Sequence, residues 1–355
     1  MTGRDADVVL AIETSCDETA AAVVSAGRDV LSSVVSSQVE LHARYGGVVP
    51  EVAGRAHVER IVPVVEEALR AAGLDRSGLP LCRPGREATA GDGGSGIGAV
   101  AATVGPGLVG ALLVGVSFAK SLAMAWGVPF VGVNHLEGHL FASLLEAPDT
   151  ELPVVVLLVS GGHTLLVAMY GAGRYEVLGE TVDDAAGEAF DKVARYLGLG
   201  YPGGPAVEAA AQAGDARAIA LPRPMIGDGL DFSFSGLKTA VVHYVERHPE
   251  VPTADVAASF QAAAVDVLVR KALDAARVVG ARGVCLAGGV AANGPLREAL
   301  ASACAGAGLA VFLPSRTMCT DNAAMIAAAG HYRLRTDGPT TLDAGASAGL
   351  RFPAA

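Results

Sequence analysis

One strand pattern occurs twice in this 355-residue chain and restricts the fold more than any other feature. An apolar run over 8–12 breaks at Glu13-Thr14-Ser15-Cys16-Asp17-Glu18, continues over 19–24, turns at Ala26-Gly27-Arg28-Asp29 and resumes over 30–35. The second copy runs over 154–159, breaks at Ser160-Gly161-Gly162-His163, continues over 164–168, turns at Gly171-Ala172-Gly173 and resumes over 175–178. Short apolar runs joined by glycine turns read as β meanders. Helical sequence follows each, so the pair predicts a duplicated α/β unit. The length exceeds one ordinary core, which also favours two lobes.

Between the meanders, 99–104 reads as a strand, Gly105-Pro106-Gly107 as a turn, 108–125 as a helix and 128–133 as a further strand. After the second meander come a helix over 183–197 and the loop Gly200-Tyr201-Pro202-Gly203-Gly204-Pro205. A late unit pairs a strand over 283–287 with Gly288-Gly289 and a helix reaching Leu300. Strand, paired glycines and helix let backbone N–H groups meet a phosphate. The glycine-rich stretch 83–98 is expected to be an exposed loop without chemistry.

Apolar residues make up 51% of the chain, but alanine, glycine and valine account for much of the excess and no run reaches 18 apolar residues. A membrane span is therefore not expected. The five cysteines (Cys16, Cys82, Cys285, Cys304, Cys319) never show C-x-x-C spacing, which fits reduced thiols and a cytoplasmic location. A net charge of −11 argues against a uniformly basic surface. Arg55, Arg60, Lys192, Arg195, Lys238 and Arg316 are candidates for a local basic patch.

The segment His135-Leu136-Glu137-Gly138-His139 carries the strongest chemical signal. Histidines four apart share one helix face and can hold one divalent ion, with a third ligand from elsewhere. The order is H-x-E-x-H, so Glu137 lies about 200° round the helix from either histidine. It cannot reach a metal-bound water as the glutamate of H-E-x-x-H does, which argues against a peptidase. Asp321, near the start of a late helix, is either the third ligand or, like Thr320, a helix cap. Ser160-Gly161-Gly162, Gly203-Gly204 and Gly288-Gly289 with Asn293 are possible nucleotide contacts, although Gly203-Gly204 also suits a helix C-cap. Asp183, Asp184, Glu188 and Asp191 could hold ribose hydroxyls.

Taken in order, Ile12-Glu13-Thr14-Ser15-Cys16-Asp17-Glu18-Thr19, His135-x-Glu137-x-His139, Ser160-Gly161-Gly162-His163-Thr164, the run 183–192, Tyr201-Pro202-Gly203-Gly204-Pro205, the run 232–239 and Cys319-Thr320-Asp321-Asn322-Ala323 resemble the tRNA threonylcarbamoyladenosine transferase family of bacterial TsaD type. The resemblance extends from about residue 8 to 349. It implies an α/β, two-lobed actin-like ATPase fold of the ribonuclease-H-like duplicated kind, with a nucleotide cleft between lobes. The lobes are drawn at 1–134 and 135–355, with the last helices able to pack back on the N-terminal lobe. It implies transfer of threonylcarbamoyl from threonylcarbamoyl-AMP to the exocyclic amine of the adenosine 3′ to the anticodon, in tRNAs reading codons that begin with A. It makes His135, His139 and Asp321 ligands of one iron or zinc ion. Leu158, Val159, Ser160, Gly161, Gly162, Asp191, Gly204 and Asn293 become adenylate contacts. Glu208 stands where the family often has a ribose-binding aspartate. Glu13 and Asp17 are candidates for the general base. A TsaB-like actin-fold partner and a TsaE-like ATPase are implied as partners. A slow ATP-hydrolysing chaperone or scaffold of the same fold would not need the histidine pair, and an inactive paralogue would be expected to lack it.

Overall fold

The computed structural model describes residues 4–81, 96–147 and 149–353. The chain begins with β1 (Arg4–Glu13), β2 (Glu18–Ser25), β3 (Asp29–Ser37), α1 (Val39–Ala43) and α2 (Pro50–Ala71). It continues through β4 (Gly96–Gly105), α3 (Val109–Trp126), β5 (Phe130–Asn134) and α4 (His135–Glu146). A second series follows: β6 (Val154–Val159), β7 (Thr164–Gly171), β8 (Arg174–Glu180), α5 (Ala186–Tyr196), α6 (Gly203–Ala211), α7 (Ser235–Arg247) and α8 (Thr253–Val279). The chain closes with β9 (Gly283–Ala287), a 3-10 turn (Gly289–Ala292), α9 (Gly294–Ala307), β10 (Ala310–Phe312), α10 (Arg316–Cys319) and α11 (Ala323–Thr336). The loop expected over 83–98 lies outside the described residues up to 95, and 96–98 belong to β4.

The predicted duplication is visible in the strand order. The first sheet runs β3-β2-β1-β4-β5 and the second β8-β7-β6-β9-β10. In both, the meander is antiparallel and the inner strand then pairs in parallel with the later strands. Central strands are covered on both faces, which explains continuous apolar runs such as VVVLLV in β6. The edge strand β3 instead alternates toward solvent, and Val30, Leu31 and Val35 are exposed on it.

Two compact units result: Met1–His42, Val48–Pro148 and Asp321–Pro353 form one, and Asp149–Thr320 with Ala43–Gly47 the body of the other. The boundary drawn from sequence at 134/135 is thus displaced. α4 stays in the first unit because its buried face packs on α11, which returns from the far end of the chain. Gly138 permits that approach, since a Cβ there would lie 2.6 Å from Ile326 Cδ1. α3 is the one helix among the described residues long and apolar enough to cross a membrane. Ala111, Leu112, Val116, Ala119 and Ala123 are buried in the first unit, and Lys120 donates to the Ala344 carbonyl. One face of α3 thus packs in the unit, while Val109, Leu113 and Met124 are exposed.

In the second unit the core surrounds α8, where Phe260 meets Phe190 edge to face at 5.0 Å. Lys271 on the same helix is fully buried. Its Nζ donates to the carbonyls of Gly229 (2.8 Å) and Asp228 (3.3 Å) and lies 6.0 Å from the centre of the Phe232 ring. Burial pushes its pKa down, with Asp228, Asp231 and Asp274 opposing the shift. Lys271→Ala is expected to cost about 2–5 kcal/mol, as other large-to-small changes in cores do. Lys271→Met should recover the packing and lose only about 1–3 kcal/mol for the two abandoned carbonyls. Denaturant unfolding that ranks the two variants equally would show that the alkyl stem contributes nothing.

Candidate functional site

The predicted residues fall at one kind of place in each unit, just beyond the carboxyl ends of the parallel strands, where open α/β sheets bind ligands. In the first unit β1 ends at Glu13, β4 at Gly105 and β5 at Asn134. Asn134 caps α4, its side chain accepting from Leu136 N (2.9 Å) and Glu137 N (3.4 Å). His135 therefore begins the helix and His139 follows one turn later. At the other helix Asn322, rather than Thr320 or Asp321, is the cap and accepts from Met325 N. That leaves the Asp321 carboxylate free to reach the histidines.

His135, His139 and Asp321 each offer a ligand atom, all within 4.8 Å of one another. Asp321 Oδ1 is 3.5 Å from His135 Nε2 and 3.2 Å from His139 Nε2. The His139 ring is fully buried, yet neither nitrogen has a hydrogen-bond partner. Its Nε2 is close to Asp321 but out of line with an N–H···O bond. A buried imidazole left so is costly unless something else takes its lone pair, and a shared cation does so. The donor set of two imidazoles and one carboxylate fits a divalent transition metal.

The charged groups also shift one another. Burial opposes charge on His135, but Asp321 and then Glu13 outweigh it and push its pKa up to about 9. Burial likewise opposes ionisation of Asp321, and the two histidines hold it down at about 2. A positive charge between these groups is favoured. Burial beside Asp321 and Asp17 pushes the Glu18 carboxyl up to about 10, a feature no motif in the sequence signals.

Glu13 is committed elsewhere than to substrate. Fully buried, it accepts from Ser15 N (2.5 Å) and the Thr103 hydroxyl (2.5 Å), and its Oε2 lies 3.2 Å from His135 Nδ1. This corrects its assignment as a base. The carboxylate orients the His135 ring, with Ser15 Oγ also 3.2 Å from Nδ1, and leaves Nε2 facing Asp321 and His139. Asp17, on the turn between β1 and β2, is only partly buried. Glu137 leaves the histidine face, as its spacing requires, and pairs with Arg333 of α11.

In the second unit β6 ends at Val159 and β9 at Ala287. Leu158 and Val159 are fully buried, so only their backbone could meet a ligand. Ser160 N donates to His163 O (2.8 Å), closing a turn that leaves Gly161 and Gly162 exposed. The nearby glycines divide into two kinds. A Cβ on Gly187 would lie 2.5 Å from Ser160 O, one on Gly288 (φ +87) 2.5 Å from Val159 O, and one on Gly203 2.7 Å from Asp191 Oδ1. Those three are required by packing. Gly161, Gly162, Gly204 and Gly289 face open space.

Several sequence expectations change here. Gly203-Gly204 is not a C-cap but opens α6, with Gly203 N donating to Asp191 Oδ1 (2.7 Å). Glu208 accepts from Asn293 Nδ2 (2.9 Å) and Gly294 N (3.2 Å), and Asn293 Oδ1 caps α9. Asp183 accepts from Ser233, Phe234 and Ser235, while Asp184 pairs with Lys192 (2.8 Å) and Lys238 (3.1 Å). These acids stitch the 183–184 turn to the 233–238 segment and do not wait for a ribose. The same pairs occupy two lysines of the suggested basic patch, and Arg60 and Arg195 donate to the carbonyls of Ser37 and Gly46.

Fold and site define a duplicated actin-like ATPase-fold protein with a histidine–histidine–aspartate cluster. Solved structures at low identity agree on the fold. HypF of T. kodakarensis superposes with a TM-score of 0.64 at 15% identity, covering 92% of this chain and 48% of that one. Component A of the (R)-2-hydroxyglutaryl-CoA dehydratase of Acidaminococcus fermentans gives 0.52 at 14%, covering 93% and 99%. The model of the TsaD family, tRNA N6-adenosine threonylcarbamoyltransferase, matches residues 29–80 and 90–328. Proteins bearing that name are 53% identical over 99% of this chain and 98% of the relative in Symbiobacterium thermophilum, and 55% over 95% of each in Moorella thermoacetica. The chain belongs to the TsaD family and is a transferase.

Proposed function

We propose that this chain moves a threonylcarbamoyl group from threonylcarbamoyl-AMP to the N6 amine of the adenosine 3′ to the anticodon, in tRNAs reading codons that begin with A, and releases AMP. The observation that carries the chemistry is the cluster of His135, His139 and Asp321, in which neither nitrogen of the buried His139 ring has a hydrogen-bond partner. Iron and zinc both suit it. Bound there, either ion would act as a Lewis acid toward the negative charge that develops on the carbamoyl or phosphate oxygens.

The remaining work falls to the protein's own groups. The donor is a mixed anhydride and already activated, so placement and charge stabilisation are the main tasks. Glu13 and Ser15 keep His135 in one ring orientation. The exposed backbone of Gly161-Gly162, with Gly204 and Gly289, receives the AMP portion, because nothing stands where a side chain would be. Asn293, held by Glu208 and Gln261 (2.8 Å), is a further contact to the adenylate. Asp17 is the carboxylate available to take the amine proton, since Glu13 is enclosed. A TsaB-like partner and a TsaE-like ATPase act with the chain in the cytoplasm, where a local basic patch or a partner supplies the phosphate contacts to tRNA that a net charge of −11 does not favour.

Reconstitution tests the reading. Metal-loaded protein, threonylcarbamoyl-AMP and unmodified tRNA, with and without the partner proteins, should yield threonylcarbamoyladenosine by nucleoside mass spectrometry. Absence of the product in every combination, with intact donor recovered, would overturn it.

A further inference from the structure

We propose that Glu137 is a positioning residue whose ion pair with Arg333 aligns α4 against α11, so that His135 and His139 meet Asp321. The inference rests on the metal reading of that cluster. Glu137 stands between the two histidines in sequence, but its carboxylate points off their face, is 2% exposed and accepts from Arg333 Nε. Arg333 lies in the last turn of α11 and also reaches Asp337 at 3.5 Å. The helix that supplies two histidines is thereby tied to the helix that Asp321 precedes by two residues.

Helix backbones bond within themselves, so the alignment of two helices is left to side chains. Between α4 and α11 much of the contact is apolar, with Ile326 and Met325 lying over Gly138. Apolar contact is non-directional and tolerates small slides. A guanidinium–carboxylate bond is directional and charge-assisted. A slide matters here because ligand distances are held to within about 0.2 Å in working metal sites. Asn134 adds a second anchor, since its Nδ2 donates to Arg351 O (2.9 Å) while its Oδ1 caps the histidine helix. Both anchors come from residues beyond 330.

The test is a chelator-competition titration of the full chain with Zn2+ as the probe, alongside thermal unfolding of the metal-free proteins. Glu137→Gln, Glu137→Ala and Arg333→Met should each weaken Zn2+ binding roughly 10- to 100-fold, the range for residues that orient ligands. The Glu137→Ala/Arg333→Met double variant should lose no more than the worse single variant, because one interaction is removed. Arg335→Ala, which breaks the exposed Arg335–Asp7 pair on the same helix, should leave affinity unchanged. If Glu137→Ala does not fold, Glu137→Gln and Arg333→Met, which preserve volume, carry the test. Folded variants that bind Zn2+ like the parent, even with lower melting temperatures, would overturn the proposal and leave the pair a matter of stability alone. If the parent and His139→Ala bind Zn2+ equally, the metal reading itself fails and the proposal falls with it.

Discussion

His139→Ala is expected to yield a folded chain that retains almost no metal and no transferase activity. His139 is the fully buried member of the cluster and has no hydrogen-bond partner to lose, so its removal leaves no new orphan behind. In the proposed site it is one of three protein ligands. The loss should exceed the roughly 10- to 100-fold typical of changes to groups that merely orient a ligand. His135→Ala should do the same and, in addition, strand the Glu13 carboxylate at 0% exposure without the imidazole it faces. Glu13 would keep Ser15 N and Thr103 but lose the imidazole that offsets its buried charge, so this variant should also be the less stable of the pair. Elemental analysis and unfolding of both proteins check the claim. Full activity in the metal-free double variant would defeat it.

The glycines around β6 and β9 should separate by function when each is changed to valine. Gly288→Val places a branched side chain at φ +87 and 2.5 Å from a carbonyl oxygen. The left-handed backbone alone costs about 1–2 kcal/mol and the forced packing about 1–3 more. Gly161→Val and Gly289→Val meet open space in the protein and should change stability by no more than about 0.5 kcal/mol. If AMP lies against this backbone, those same two changes should weaken its binding at least about tenfold, or 1.4 kcal/mol, with metal content untouched. Calorimetry on AMP and thermal melts together read both halves. Unchanged AMP affinity at both exposed positions would move the nucleotide elsewhere.

Local pattern and long-range contact were not equally legible in the sequence. The meanders, the central parallel strands and the helix after Asn134 follow from apolar period and turn residues, which act over a few neighbours. The spacing of Glu137 from the histidines shows which way it points, but not that Arg333 waits there, nearly 200 residues on. Glu13 looked like a base because a carboxylate at a strand end is ordinarily reachable. Ser15 N, Thr103 and His135 enclose it, and their convergence is a property of the fold. Asp183 and Asp184 looked like sugar ligands for the same reason, and Ser233, Lys192 and Lys238 claim them. The lobe boundary was displaced because α11 carries no mark of which sheet it covers. Its apolar residues suit either core, and packing on β1, β2 and α4 places it in the first unit.

The order of the chain has a consequence for biosynthesis. His135 and His139 leave the ribosome early, whereas Asp321 follows only after the whole of 149–320, the body of the other unit, has been made. If the cluster holds an ion, a nascent chain with only the two histidines would hold it loosely. Full-affinity binding at the proposed site would therefore wait until Asp321 returns to α4.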